Sequence, residues 1–287
     1  AARPGQIVDV AAGAYPAQTI RSDPAKQGAT QDVVIRPAEG ATPTVGQLTI
    51  EAGHLEVAGL KVDGGWLTGP TAHDVTLRDL EVVGAIFVNS SARISVLGGS
   101  VGPSVDVHSQ FASSVPGTPI RDVLVDGVTF HDFSRTSESV HTECLQVAGG
   151  IGVTIRNSTF VRCAVFDLSL TEYNGSGPPT DVTIENDVFG TATSGGFYSL
   201  HLNDNASDFV RVLIRNNSST QAFSLAGLPK LTDVRVVGNV APNVPYACDA
   251  RIAYAHNVWD GARCGTTDVD AKPGFADAAR GDLHLVP

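Results

Sequence analysis

Two acidic residues and two histidines stand out as groups able to move protons. They are Asp167 in Val165-Phe-Asp-Leu-Ser-Leu170, His201 in Ser199-Leu-His-Leu202, and His141 and Glu143 in His141-Thr-Glu-Cys-Leu-Gln146. A charged group on an otherwise apolar strand costs several kcal/mol if it is buried without partners. Asp167 is therefore expected to point outward or to be hydrogen-bonded. An imidazole between two leucines, as at His201, suits general acid-base work near neutral pH. Tyr173, His108 and Gln146 join these four as candidate substrate contacts, and Arg135 and Arg162 as candidate clamps for a substrate carboxylate. A bland reading stands beside each: an exposed strand histidine, a solvated turn, or an ordinary Glu-Arg pair.

Three chemistries fit such a set. In an elimination, Asp167, His201 or Tyr173 would remove the proton next to a uronic carboxylate, with a cation such as calcium neutralising that carboxylate. In a hydrolysis, Glu143 and Asp167, or Asp106 in place of one, would be acid and base. In a metal-dependent site, His108, His141, Glu143, Asp167 and His201 would supply ligands, although no recognisable ligand spacing supports this. A non-catalytic glycan-binding or adhesive module would need aromatic platforms. With 6% aromatic residues, few of them read as outward, this is the weaker alternative.

The elements that must position these groups follow from an internal repeat. The pattern is apolar, any, apolar, any, then Gly, Asn or Asp, two more residues, and a final apolar residue. It runs through Leu55–Val62, Val75–Val82, Ile94–Val101, Val123–Phe130, Val153–Phe160 and Val182–Phe189. Weaker copies begin at Val212, Val234 and Ile252. Copies spaced by roughly 20 to 30 residues are the signature of a solenoid. Alternation over a few Val-, Ile- and Thr-rich residues makes a short strand with one buried face. The fifth residue is Gly, Asn or Asp in eight of the nine copies, with His256 the exception. These residues tolerate positive φ, so the chain should bend there. Asn157, Asn186 and Asn216 would then stack and could hydrogen-bond as a ladder.

A third strand per coil is read at 105–108, 144–147, 166–170, 197–202 and 223–225, between inserts at 109–121, 131–140, 171–180 and 203–209. With Leu145, Leu168, Leu200 and Leu225 stacked inward, one outward row is Asp106, Cys144, Asp167, Ser199 and Ser224. The other is His108, Gln146, Ser169, His201 and Ala226. At about 4.8 Å per coil, Asp167 and His201 would be diagonal neighbours, and Asp106 and Asp167 roughly 9 to 10 Å apart. The fold expected is all-β, a right-handed parallel β-helix with three short strands per coil. It would form one domain over 1–287, with an N-terminal cap and first coils at 1–50, regular coils at 51–259 and a C-terminal cover at 260–287.

In this light the chain resembles the pectate-lyase-like superfamily of right-handed parallel β-helix proteins, notably secreted repeat members of actinobacterial type. The resemblance rests on the Val-Thr-Ile-Arg-Asn-Ser-Thr-Phe repeats, His141-Thr-Glu-Cys-Leu-Gln146 and the Gly13-x-Tyr15 opening, and it spans nearly the whole chain. It implies the fold. It does not imply one activity, because the scaffold carries lyases, hydrolases and non-catalytic fibres. Neither the Asp-rich motifs of polygalacturonases nor the Arg-centred motif of pectate lyases is present.

Composition narrows the partners. The net charge is −11 and no Lys/Arg cluster exists, which argues against nucleic acid and anionic membranes and weighs mildly against a highly charged polyanionic substrate; the partner expected is a polysaccharide or oligosaccharide. No apolar run approaches the length of a membrane span. The absence of methionine, even at position 1, suggests a processed, secreted chain. Cys248 and Cys264 are expected to pair, in keeping with export. Cys144 and Cys163 could pair or remain buried thiols.

Overall fold

The computed structural model describes residues 2–21, 30–69, 71–113, 115–172, 175–190, 198–203, 205–225, 227–228, 230–242, 248–261, 263–278 and 282–286, with the backbone alone at 67 and 68. The described residues form a right-handed parallel β-helix of three sheets. The first sheet has 11 strands, the second 13 and the third 9, and nearly every neighbour in a sheet belongs to the adjacent coil. The first coil already begins at Ile7–Val10. Past Trp259 the chain adds Val269–Asp270 to the second sheet and ends in an antiparallel pair, Phe275–Asp277 with Asp282–Leu285. No helix among the described residues is long and apolar enough to cross a membrane.

The repeat explains the stacking. Its first apolar positions align as Val123, Val153, Val182, Val212 and Val234, all buried. Its final apolar positions stack Phe130, Phe160 and Phe189 with ring centroids 5.0 and 5.2 Å apart. All nine fifth positions, including His256, adopt φ of 50–70°. The bend is thus a backbone requirement that Gly, Asn and Asp meet most cheaply and that histidine also meets here.

The asparagine ladder lies one residue further on than expected. Asn157 instead donates from Nδ2 to Asp126 Oδ1 at 2.7 Å. The stacked side chains are Ser158, Asp187, Asn217, Asn239, Asn257 and Asp268, all buried. From Ser158 on, each backbone N–H donates to the Oδ1 of the next coil, at 2.8–3.0 Å. Three rungs add an Nδ2 donor: Asn217 to Asn239, Asn239 to Asn257 and Asn257 to Asp268. Earlier coils place Leu60, Leu80, Gly99 and Val128 at this position, so polar side chains occupy it only in the second half. Asp187 interrupts the amides. Its Oδ2 is buried with no hydrogen-bond partner, and burial, helped by the nearby charges of Glu185 and Asp126, pushes its carboxyl up to about 8.

Both disulfides form, Cys144 with Cys163 and Cys248 with Cys264. The first ties the third sheet's approach to the end of the second-sheet strand Thr159–Cys163.

Candidate active site on the third sheet

Each third-sheet strand is four residues or so, and its outward side chains stack in register from coil to coil. One row reads Thr49, Trp66, Phe87, Gln110, Gln146, Ser169, His201 and Ser224, with Ser169 and Ser224 covered by their surroundings and buried. The expected neighbours Gln146, Ser169 and His201 are therefore together. The ends of the row differ from expectation. Phe223, not Leu225, stacks on Leu200, which brings Ser224 beside His201. Ala226 and Tyr173 lie outside the described residues. The strand expected at 105–108 is a corner: Val105 pairs with Ser134 in the second sheet, and the third-sheet strand is Ser109–Ala112. Asp106 consequently sits at the edge of the second sheet, accepting hydrogen bonds from the Thr136 N–H and hydroxyl, both at 2.6 Å. Those bonds hold its carboxyl below the usual range.

Asp167 does not face outward. It is 1% exposed and occupies a row with Cys144, which is bonded to Cys163, and Ser199, which receives a hydrogen bond from Ser219 at 2.7 Å. That row fills the corner between the second and third sheets. Burial pushes the Asp167 carboxyl well above the usual range, against a weaker opposing effect of the Ser199 hydroxyl. Asp167 and His201 are on opposite sides of the strand, and Asp106 and Asp167 do not share a face. Period-2 alternation fails at this corner because Asp167 and Leu168 are both internal. The arginines are also committed. Arg162 forms a two-point ion pair with Asp132, and Arg135 donates to the Glu138 and Val140 carbonyls within its own turn.

Glu143 is the carboxylate that meets the outer face. It is 2% exposed, yet its Oε2 lies 3.6 Å from His108 Nδ1 and its Oε1 lies 3.6 Å from His141 Nδ1. Oε2 has no hydrogen-bond partner at shorter range. His108 Nδ1 also lies 3.2 Å from the His141 carbonyl oxygen. With the proton on Nδ1, the imidazole donates to that carbonyl. This leaves Nε2 as the basic atom, 3.4 Å from Gln110 Nε2. Gln110 in turn donates to Gln146 Oε1 at 2.7 Å. On the far side His201 stacks on Phe166 at 4.4 Å between centroids, with Tyr198 6.1 Å from His201 and His141 6.5 Å from Phe166.

Two residues of this face were not anticipated. Trp66 and Phe87, adjacent in the outward row, stack at 3.9 Å with an interplanar angle of 11°, both half-buried. The alternation Ile86-Phe87-Val88, with Ile86 and Val88 inward, carries the signal that extending the third-strand pattern two coils upstream would have found. Among the described residues, Glu143 and its two histidines do not bring three ligand atoms within 4.8 Å of one another.

No family model matches the chain, and no curated protein matches it. Among solved structures, an alginate lyase from Paenibacillus sp. str. FPU-7 is 12% identical with a TM-score of 0.43, over 94% of this chain and 93% of that one. The Streptococcus pneumoniae surface protein and adhesin PfbA is 12% identical with a TM-score of 0.45, over 90% of this chain and 87% of that one. Likenesses this distant say nothing of what this chain does.

Proposed function

We propose that the protein is a secreted carbohydrate-active enzyme that binds a uronic polysaccharide along the outward row of the third sheet and cleaves it by β-elimination. The observation that carries the reading is His108, with Nδ1 3.2 Å from the His141 carbonyl and 3.6 Å from Glu143, and with Nε2 turned toward the amide of Gln110. An imidazole so oriented is a general base. Its Nε2 takes the proton from the sugar carbon next to the carboxyl, and that C–H pair becomes the new double bond. The bond to the leaving glycosidic oxygen breaks, and that oxygen takes a proton; His141 is our assignment for its donor. The Gln146 amide, whose carbonyl oxygen accepts from Gln110, donates a hydrogen bond to the substrate carboxyl as charge builds on it. Elimination is favoured over hydrolysis because the two carboxylates expected to partner Glu143 are engaged elsewhere, Asp106 by the Thr136 N–H and hydroxyl and Asp167 in the buried corner.

Trp66 and Phe87 support a glycan on this face, since flat aromatic surfaces complement the apolar faces of sugar rings. Five coil steps separate Trp66 from His201, about 24 Å at ~4.8 Å per step, enough for several sugar units. The same platform favours a second reading, a glycan-binding module without catalysis. The test is incubation with neutral and uronic polysaccharides, with and without calcium, following absorbance near 235 nm and reducing ends, with His108→Ala as control. Elimination raises both signals, and the variant loses roughly 100-fold or more. Reducing ends without absorbance would mean hydrolysis. Binding without either signal would leave the module.

A further inference from the structure

At the start of the first sheet, the second residue of most strands takes a left-handed conformation, with φ of 52–56° at His54, Asp74, Arg93, Asp122, Asp181, Arg211 and Asp233. The side chains of this bulge row form a ladder in which cation and carboxylate meet across coils. Arg93 grips Asp74 at 2.6 and 2.7 Å, and Arg211 grips Asp181 at 2.5 and 2.7 Å. At its N-terminal end the arginine is replaced by an imidazole. His54 lies between Asp32, 3.7 Å from Nδ1, and Asp74, 3.8 Å from Nε2. A second imidazole, His73, enters from the neighbouring position, with Nδ1 2.8 Å from Asp74 Oδ2. Its ring lies over Gly53, where a Cβ would come within 2.4 Å of it, so any larger residue there would push the ring aside.

We infer that His54, His73 and Asp74 form a binding site for a divalent transition metal of the zinc type. One ligand atom from each lies within 4.8 Å of the others, so small side-chain adjustments close them on one ion. Two imidazoles and a carboxylate suit zinc, nickel or copper rather than the all-oxygen sets of calcium and magnesium. The surroundings are those of a built site. Asp32 lies 3.7 Å from the other nitrogen of His54, where it can steer the ring, and Arg93 orients the Asp74 carboxylate through both of its oxygens. Three protein ligands leave a fourth position open for water or a substrate group. This site is separate from the His108 and Glu143 cluster and does not depend on the reading given to it.

Calorimetric titration of the metal-stripped protein with zinc chloride tests the assignment. One saturable equivalent is expected, weakened at least roughly tenfold in His54→Gln and in His73→Gln, weakened less in Asp32→Asn, and unchanged in His108→Gln. Circular dichroism of each variant confirms that it is folded, and the exposed Asp32→Asn change carries the test should a histidine variant misfold. Absence of saturable binding, equal affinity in all variants, or loss in His108→Gln alone would overturn the inference.

Discussion

Replacing Asp187 by asparagine would restore the amide that the ladder lacks at that rung, and its effect should depend on pH. In the folded chain the carboxyl is held neutral up to about 8, against an ordinary value of 3.8. The folded state therefore binds one proton more than the unfolded state between those values. Stability falls as pH rises through the window, by up to about 1.4 kcal/mol per unit, and levels off above 8. Some four units give a ceiling of roughly 5 kcal/mol, and about 4 kcal/mol at pH 7, both reduced by local relaxation. The introduced amide would keep the Oδ1 that accepts from Ser158 and supply an Nδ2 donor toward Asn217, as the rungs below do. Melting of both proteins from pH 4 to pH 9 checks this. The curves should lie close together near pH 4 and diverge steadily, with Asp187→Asn the more stable by several degrees at pH 8. Parallel curves would refute the reasoning, because they would mean that Asp187 titrates alike in the folded and unfolded chains.

Three further outcomes follow from named contacts. Asp167→Asn should leave activity on any cleaved glycan within about twofold, because its side chain fills an internal corner, and should gain stability relative to the parent as pH rises; a loss of turnover at unchanged stability would bring Asp167 back into the chemistry. Trp66→Ala should weaken glycan binding by about tenfold, from a lost stacking surface worth ~1.5 kcal/mol, with turnover of bound substrate little changed, as read by a split of KM from kcat. Cys144→Ser with Cys163→Ser should cost about 3 kcal/mol, seen as a lower melting temperature than the parent's, a difference that disappears when both proteins are reduced.

The fold was legible because one backbone requirement recurs. A left-handed residue after a short alternating strand needs Gly, Asn or Asp, and each copy announces it; His256 shows that the position matters more than the residue. Register on the third sheet was harder to read. Its strands are as short as Phe223–Ser224, so a two-residue slip separates Leu225 from Phe223 as the partner of Leu200, and nothing local decides between them. Val105-Asp-Val-His108 alternates like a strand but is a corner, closed by the Ser104 hydroxyl donating to the Val107 carbonyl. Asp167 was misplaced for a related reason: at a junction of two sheets consecutive residues can both face inward. The Glu143 histidine pair was visible as residue types, but the pairing of His108 with a residue 35 positions later is a property of stacking alone.

The ladder has a direction, and Asp268 gives it an end. Every rung from Ser158 to Asn257 passes a backbone N–H to the coil that follows, whereas the Asp268 N–H turns back to the Gly265 carbonyl. Its carboxylate oxygens are filled from its own side, by Asn257, the Trp259 indole and the Gly265 N–H. A carboxylate has no hydrogen to hand on. The final rung is thus a terminator with no valence left along this line, and it denies a second copy the foothold from which end-to-end stacking into fibres would start.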